Sequence, residues 1–263
     1  LHPLDLDWAV GLPGPGRAWH RGEARDLPDL VFTRMGATSP PAALNSLLQL
    51  QALGVPVFND PRALWLTRDK VRCGMVLAQA GLPVPPMLIP GRHFAPGWIE
   101  AQLGPAPWVV KRAEGSKGEA VFLIQKEEEL VEHTRQAVES ETPLLVQRFI
   151  REASGVDLRV FVASGRVLGS MRRRSAGGDF RSNLHQGGSG EAAEASPEAQ
   201  RIALAATETL GLHVAGVDLL ESDTGPLLIE VNGSPGFAGI EDATGLDVSG
   251  DVVAFLEQAV ERG

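Results

Sequence analysis

Asp218, Glu230 and Asn232 form the set in this sequence that can hold a hard cation. They flank Ser222, Asp223, Thr224, Gly225 and Pro226, a turn signal between two apolar runs. A turn centred on Thr224 sets Asp218 opposite Glu230 and Leu220 opposite Leu228. Side chains alternate along a strand, so Asn232 shares the face of Glu230, and Val217, Leu219, Leu227, Ile229 and Val231 take the core face. Directly opposed side chains stand about 4.5–5.5 Å apart at Cβ, and like charges there repel, so the two carboxylates need a cation or a shared proton. An oxygen-only donor set suits Mg²⁺, which keeps waters and phosphate oxygens as its other ligands. The plainer reading is a solvated acidic face, and a slip of one residue in register would scatter the set.

The basic residues point to an anion. Only four lysines occur: Lys70, Lys111, Lys117 and Lys126. Lys111 ends the apolar run of Trp108, Val109 and Val110, and Glu114, Gly115, Ser116, Lys117 and Gly118 follow. A strand, a glycine turn and a second strand make a hairpin whose backbone N–H groups can cover phosphates. The sequence has neither GxxxxGK[ST] nor a GxGxxG helix entry, so it is neither a P-loop nor a dinucleotide fingerprint. Arg148, Arg151, Arg159, Arg166, Arg172, Arg173, Arg174 and Arg181 oppose only Glu152, Asp157 and Asp179, in a chain of net charge −9. A locally basic stretch in an acidic protein suggests a pocket for a small anion, whereas a nucleic-acid binder is basic over a whole face. Arginines paired with acids on a solvated face remain the alternative.

These groups need elements to position them. Helices are expected over 41–53, from Asp60 and Pro61 onward, and over 69–80, 126–139, 197–210 and 248–262. Strands are expected over 30–33, 55–58, 108–112, 120–124, 144–150, 158–163, 167–174, 216–221 and 227–232. The glycine-rich stretch 176–190 reads as a mobile loop, and the prolines of 90–107 as a boundary. The order is a small α/β lead followed by a strand-rich α+β body.

The 263 residues are 43% hydrophobic and 22% charged, a composition that excludes disordered and fibrous classes. No run approaches the roughly 18 uncharged apolar residues of a membrane span. Residues 1–10 lack the basic start of a secretory leader. Cys73 is the only cysteine, which excludes an internal disulfide and a cysteine metal cluster and makes a cytoplasmic location the expectation.

Several ordered segments resemble one family. They are Arg68–Asp69–Lys70, then Val109–Val110–Lys111 with Glu114–Gly115–Ser116–Lys117–Gly118, and Leu145–Val146–Gln147–Arg148–Phe149–Ile150. Gly155–Val156–Asp157–Leu158–Arg159 and Gly178–Asp179–Phe180–Arg181–Ser182–Asn183–Leu184–His185 follow. Ala215–Gly216–Val217–Asp218 and Ile229–Glu230–Val231–Asn232–Gly233–Ser234–Pro235–Gly236 complete the set. Over residues 29–262 the chain is similar to the ATP-grasp superfamily, and within it to the RimK-type ligases that add glutamate to a carboxyl terminus.

That resemblance implies an α+β ATP-grasp fold, two subdomains gripping ATP (67–147 and 148–263), preceded by a truncated α/β domain (1–66) lacking the family's first β-α unit. It implies that Lys70 and Lys111 contact ATP phosphates, that the strand at Gln147, Arg148 and Phe149 holds adenine, and that Asp157 binds the ribose. Asp218, Glu230 and Asn232 become ligands of Mg²⁺ or Mn²⁺, and Arg173, Arg181 and Asn183 contact substrate or phosphate. Arg148 stands where many relatives carry Glu, which changes the charge of the base pocket. The implied activity is an ADP-forming ligation of L-glutamate to a carboxylate acceptor, such as a protein C-terminus, through an acylphosphate. The 176–190 loop would close to exclude water. A homo-oligomer is expected, with neither membrane nor nucleic-acid partner. The alternatives are a ligase acting on an amino-group carrier protein or cofactor, a non-catalytic nucleotide-binding module, and RNA binding through the arginines.

Overall fold

The structure, a computed structural model, describes residues 6–8, 18–36, 39–113, 121–176, 179–180 and 188–262. Strands β1 (Asp7–Trp8), β2 (Ala18–His20) and β3 (Glu23–Arg25) form a small antiparallel sheet. Strands β4 (Val31–Phe32) and β5 (Val57–Phe58) pair in parallel, joined by helix α1 (Pro41–Ala52). Leu44, Leu47 and Leu50 of α1 pack with Val55, Val57 and Leu64. Helix α2 (Pro61–Arg68) starts as its sequence signals: the Asp60 carboxylate accepts from Arg62 N–H at 2.7 Å, with Pro61 in the first turn. Helix α3 (Lys70–Gln79) is capped by Asp69 and followed by Gly81 at φ +76°.

The next segment builds a four-stranded antiparallel sheet. Strand β6 (Met87–Leu88), helix α4 (Trp98–Leu103), strands β7 (Trp108–Arg112) and β8 (Val121–Ile124), helix α5 (Glu127–Glu139) and strand β9 (Leu144–Arg148) follow in order. The sheet order is β6-β9-β7-β8. Ile99 and Leu103 of α4 are buried with Trp108, Val110, Ile124, Leu130 and Val146. The proline-rich stretch expected as a boundary therefore carries a helix of this subdomain's core.

After a 3-10 turn at Arg151–Ala153 come β10 (Val156–Ala163), β11 (Arg166–Arg174), β12 (Ser189–Ala192), α6 (Pro197–Leu210), β13 (Val214–Ser222), β14 (Gly225–Asn232), α7 (Ala238–Thr244) and α8 (Val248–Arg262). The second large sheet has the order β12-β11-β10-β13-β14, all antiparallel. Period-two alternation divides β10: Leu158, Val160 and Val162 pack under α6, leaving Asp157, Arg159 and Phe161 to the other face. Val217 and Leu219 join the α6 side. Part of the stretch expected as a loop is strand β12, while residues 177–178 and 181–187 lie outside the described residues.

The acidic hairpin corrects one expectation. The turn holds two residues, Asp223 and Thr224, because Ser222 pairs with Gly225 and Leu219 with Leu228. A bulge at Ile229 then restores Asp218 opposite Glu230 and Gly216 opposite Asn232. Before the bulge the faces swap. Leu228 is 1% exposed and belongs to the core, whereas Leu227 and Ile229, expected inside, are half-buried. No helix among the described residues is long and apolar enough to cross a membrane.

Candidate active site

A cavity of about 570 Å³ lies between the two large sheets. Val109, Lys111 and Gln147 line it from the four-stranded side, and Asp157, Arg159, Arg173, Asp218, Glu230 and Asn232 from the other. Lys70, at the start of α3, and Phe149 also face it. Sequence-expected residues spread over 163 positions thus meet in one space, from Lys70 to Asn232.

Its charged floor is built by strand register. Arg159 pairs with Asp218 across β10 and β13, Asp218 with Glu230 across the hairpin, and Asp157 with Arg173 across β10 and β11. Paired residues project to the same face, so these side chains must meet. The Arg159 fork binds the Asp218 carboxylate through Nε and Nη2, both at 2.7 Å. Arg173 binds Asp157 in the same manner, at 2.6 and 2.5 Å, and its Nη2 lies 2.8 Å from Oδ2 of Asp218. Side chains of Asp157, Arg173 and Asp218 are each 4% exposed. Buried charges are tolerable only when paired and hydrogen-bonded in this way. Burial alone would raise the Asp218 carboxyl, but Arg159 and Arg173 bring it below the usual carboxylate range. Burial would lower the Arg173 guanidinium, and Asp218 and Asp157 lift it above its ordinary value.

Glu230 is exposed to the cavity, and the Asn232 amide oxygen accepts from Ser234 N–H at 2.9 Å. Among the described residues no three His, Cys, Asp or Glu side chains gather as a metal cluster. A cation here therefore draws on Asn232 and on solvent or phosphate oxygens besides the acids. The donor set fits one. A carboxylate offers about four acceptor positions, and the guanidiniums take three on Asp218, so one position on Oδ1 stays open. Asn232 keeps a second lone pair, and all three donors are hard oxygens suited to Mg²⁺.

The lysines sit above this floor. Lys111 is held in β7, and burial pushes its ammonium down while Glu230 pulls it back up. Lys70 N–H donates to the Ala113 carbonyl at 3.0 Å, which ties the start of α3 to the end of β7. Gln147 is buried and pairs with Val109 and Met87, on the cavity face of β9. Arg148, one residue on, alternates to the other face, where Nε donates to the Leu103 carbonyl of α4 at 2.9 Å. The departure in charge at this position is thus drawn toward α4, with the backbone left at the cavity rim. Phe149 meets Phe180 edge to face at 6.3 Å, and both line the cavity. Arg181 and Asn183 lie outside the described residues, as does the glycine turn with Lys117.

Sequence reasoning quoted Arg159 within a segment without giving it a role. Its place opposite Asp218 is set by the pairing of β10 with β13, which no local signal marks. It also passed over Asn59. That side chain is 0% exposed and donates to the Val214 and Gly233 carbonyls at 2.6 and 2.7 Å. Its Oδ1 accepts from His213 and Val214 N–H at 2.6 and 2.8 Å. Asn59 therefore closes the open end of the acidic hairpin, next to Asn232.

The RimK-like ATP-grasp domain family matches residues 67–256. A protein of Xanthomonas campestris pv. campestris named probable alpha-L-glutamate ligase is 42% identical over 236 residues, covering 88% of this chain and 80% of its own. One of Shewanella amazonensis, named probable alpha-L-glutamate ligase 1, is 39% identical over 252 residues, covering 92% and 80%. Among solved structures, a RimK domain ATP-grasp protein of Sphaerobacter thermophilus superposes with a TM-score of 0.65 at 26% identity, over 85% of this chain and 80% of that one. The ATP-grasp ligase PsnB, solved with a minimal precursor, reaches 0.72 over 97% and 87% at 23% identity, a likeness of fold. On the domain match and these relatives, the chain belongs to the RimK-like ATP-grasp family and is an ATP-dependent ligase.

Proposed function

We propose that this enzyme joins the amino group of L-glutamate to a carboxyl group of a protein, peptide or small acceptor, at the expense of ATP and with Mg²⁺. The observation that supports this most directly is the convergence of Lys70, Lys111, Arg173, Asp218, Glu230 and Asn232 on one cavity. The names of the Xanthomonas and Shewanella relatives support glutamate as the amine.

A carboxylate resists amines because it is already anionic. In the proposed path an acceptor carboxylate oxygen attacks the γ-phosphorus, the bond to the bridging oxygen breaks, and ADP leaves. The glutamate nitrogen then attacks the acyl carbon, loses a proton, and expels phosphate. Positioning and charge neutralisation supply most of the catalysis in such transfers. Lys70 and Lys111 neutralise phosphate oxygens, and Arg173 steadies developing negative charge while remaining tied to Asp157. Gln147, Arg148 (through its backbone) and Phe149 hold the base, and Asp157 the ribose. Asp218, Glu230 and Asn232 hold the cation, which when bound neutralises and orients the phosphates. Arg181 and Asn183 act on substrate or phosphate by resemblance. The same reading divides the chain at 66/67 and 147/148.

The test is ADP release against a panel of acceptors and amino acids, with product masses. ADP release that requires both an acceptor and glutamate, with a glutamyl mass increment and none in Asp218→Asn, supports the reading. Nucleotide binding without turnover across the panel would instead establish a regulatory module.

A further inference from the structure

We propose that Arg159 is a positioning residue that withholds Asp218 from free cations, so that the metal enters the site only together with nucleotide. The inference rests on the reading of Asp218 as a metal ligand and adds to it the order of loading.

Three observations carry it. First, Arg159 grips both oxygens of Asp218, and Arg173 takes a further position, so a cation meets a carboxylate already neutralised by two guanidiniums. Second, the cavity lining is cationic. Arg68, Lys70, Lys111, Arg159 and Arg173 oppose only Asp157, Asp218 and Glu230, the Arg148 side chain being turned toward α4. Such a field repels a free divalent ion and attracts a polyphosphate, whose charge then reverses the balance for the cation. Third, the sequence makes room for the fork. Gly216 precedes Asp218 by one alternation on the same face of β13, and a Cβ there would lie 3.4 Å from Arg159 Nε and 3.2 Å from Pro235 Cβ. A Cβ at 216 would touch the guanidinium at ordinary van der Waals distance, and a longer side chain would compete for the space the fork fills.

The experiment is a Mn²⁺ titration read by electron paramagnetic resonance on the full chain, with and without ADP. Wild type should take up Mn²⁺ tightly only with ADP present. Arg159→Met should bind Mn²⁺ without ADP at least about tenfold more tightly than wild type, the scale of one charge-assisted hydrogen bond. Arg159→Lys keeps the charge but loses the fork and should tighten it roughly threefold, the smaller step expected when a bidentate pair becomes a point charge. Damage to the fold would weaken binding, so tightening reads positioning. If Arg159→Met does not fold, Arg159→Lys carries the test. Mn²⁺ affinity without ADP equal to wild type in the variants that fold would overturn the proposal, as would a wild-type value for Arg159→Lys alone. Asp218→Asn separates the two readings. If it binds Mn²⁺ with ADP as wild type does, the metal-ligand reading has failed. If it loses the site while the Arg159 variants are unchanged, only the order of loading has failed.

Discussion

Replacing Asn59 by Ala should cost more than any other single polar truncation in the N-terminal part of the chain. All of its amide's capacity is used: two N–H donors meet the Val214 and Gly233 carbonyls, and two lone pairs meet His213 and Val214 N–H. Asn59→Ala deprives four backbone groups of that partner, each worth about 1–3 kcal/mol when buried and left unmade. The vacated space can admit a water that restores part of the pairing, so the net loss is about 3–5 kcal/mol. For a chain of this size that is a fall in Tm of roughly 10 °C. Urea unfolding and calorimetry read it directly. Asn59→Asp keeps the acceptors, loses both donors and sets a carboxylate against two carbonyls, so it should be at least as damaging. The ADP complex should weaken as well, because Gly233 follows Asn232 and their strand end is what the amide holds in place. A loss under about 1 kcal/mol for Asn59→Ala, less than one buried hydrogen bond, would refute the reasoning.

Asp218 has a depressed folded pKa, so its contribution is present above the unfolded value of about 3.9 and is lost as pH falls through the folded one. Thermal melts between pH 3 and 7 should therefore fall off steeply only below about pH 4, and less steeply in Asp218→Asn. Cys73 is 6% exposed, and burial, with Glu230 and Asp69, pushes its thiol up to about 12. Its reaction with an aromatic disulfide at pH 8 should be on the order of a thousandfold slower in the folded protein than in urea, following the thiolate fraction. Gly155 has φ +72°, and a Cβ there would stand 2.6 Å from Ser175 Oγ and 2.7 Å from the Asp179 carbonyl. Gly155→Ala should cost about 2 kcal/mol or more through strain and overpacking, and it should lower turnover by displacing Phe180 from the cavity wall; unchanged stability and turnover would contradict that geometry.

Local signals in the sequence were sufficient where the cause is local. The cap at Asp60 and Pro61, the helix ending before Gly81, and the strand of Trp108 to Arg112 follow from residues within a few positions of one another. The pairing of Asp218 with Glu230 was legible for the same reason, since one hairpin brings them face to face. Yet the hairpin's register near the turn was misread, because an early two-residue turn and the bulge at Ile229 offset one another. The short strands β1 to β3 and helix α4 carry too few residues for a periodic pattern and escaped notice.

Away from the bulge at Ile229, the sequence alone determined which side chains share a strand face, because alternation is a property of the chain itself. Only the tertiary structure decided what each of them touches. Arg159 reaches Asp218 across 59 positions, Asn59 reaches Gly233 across 174, and Arg148 turns toward α4 because α4 is there. Those pairings depend on how the sheets and helices stack, and buried charges and amides accept whichever partners that stacking leaves within hydrogen-bond distance.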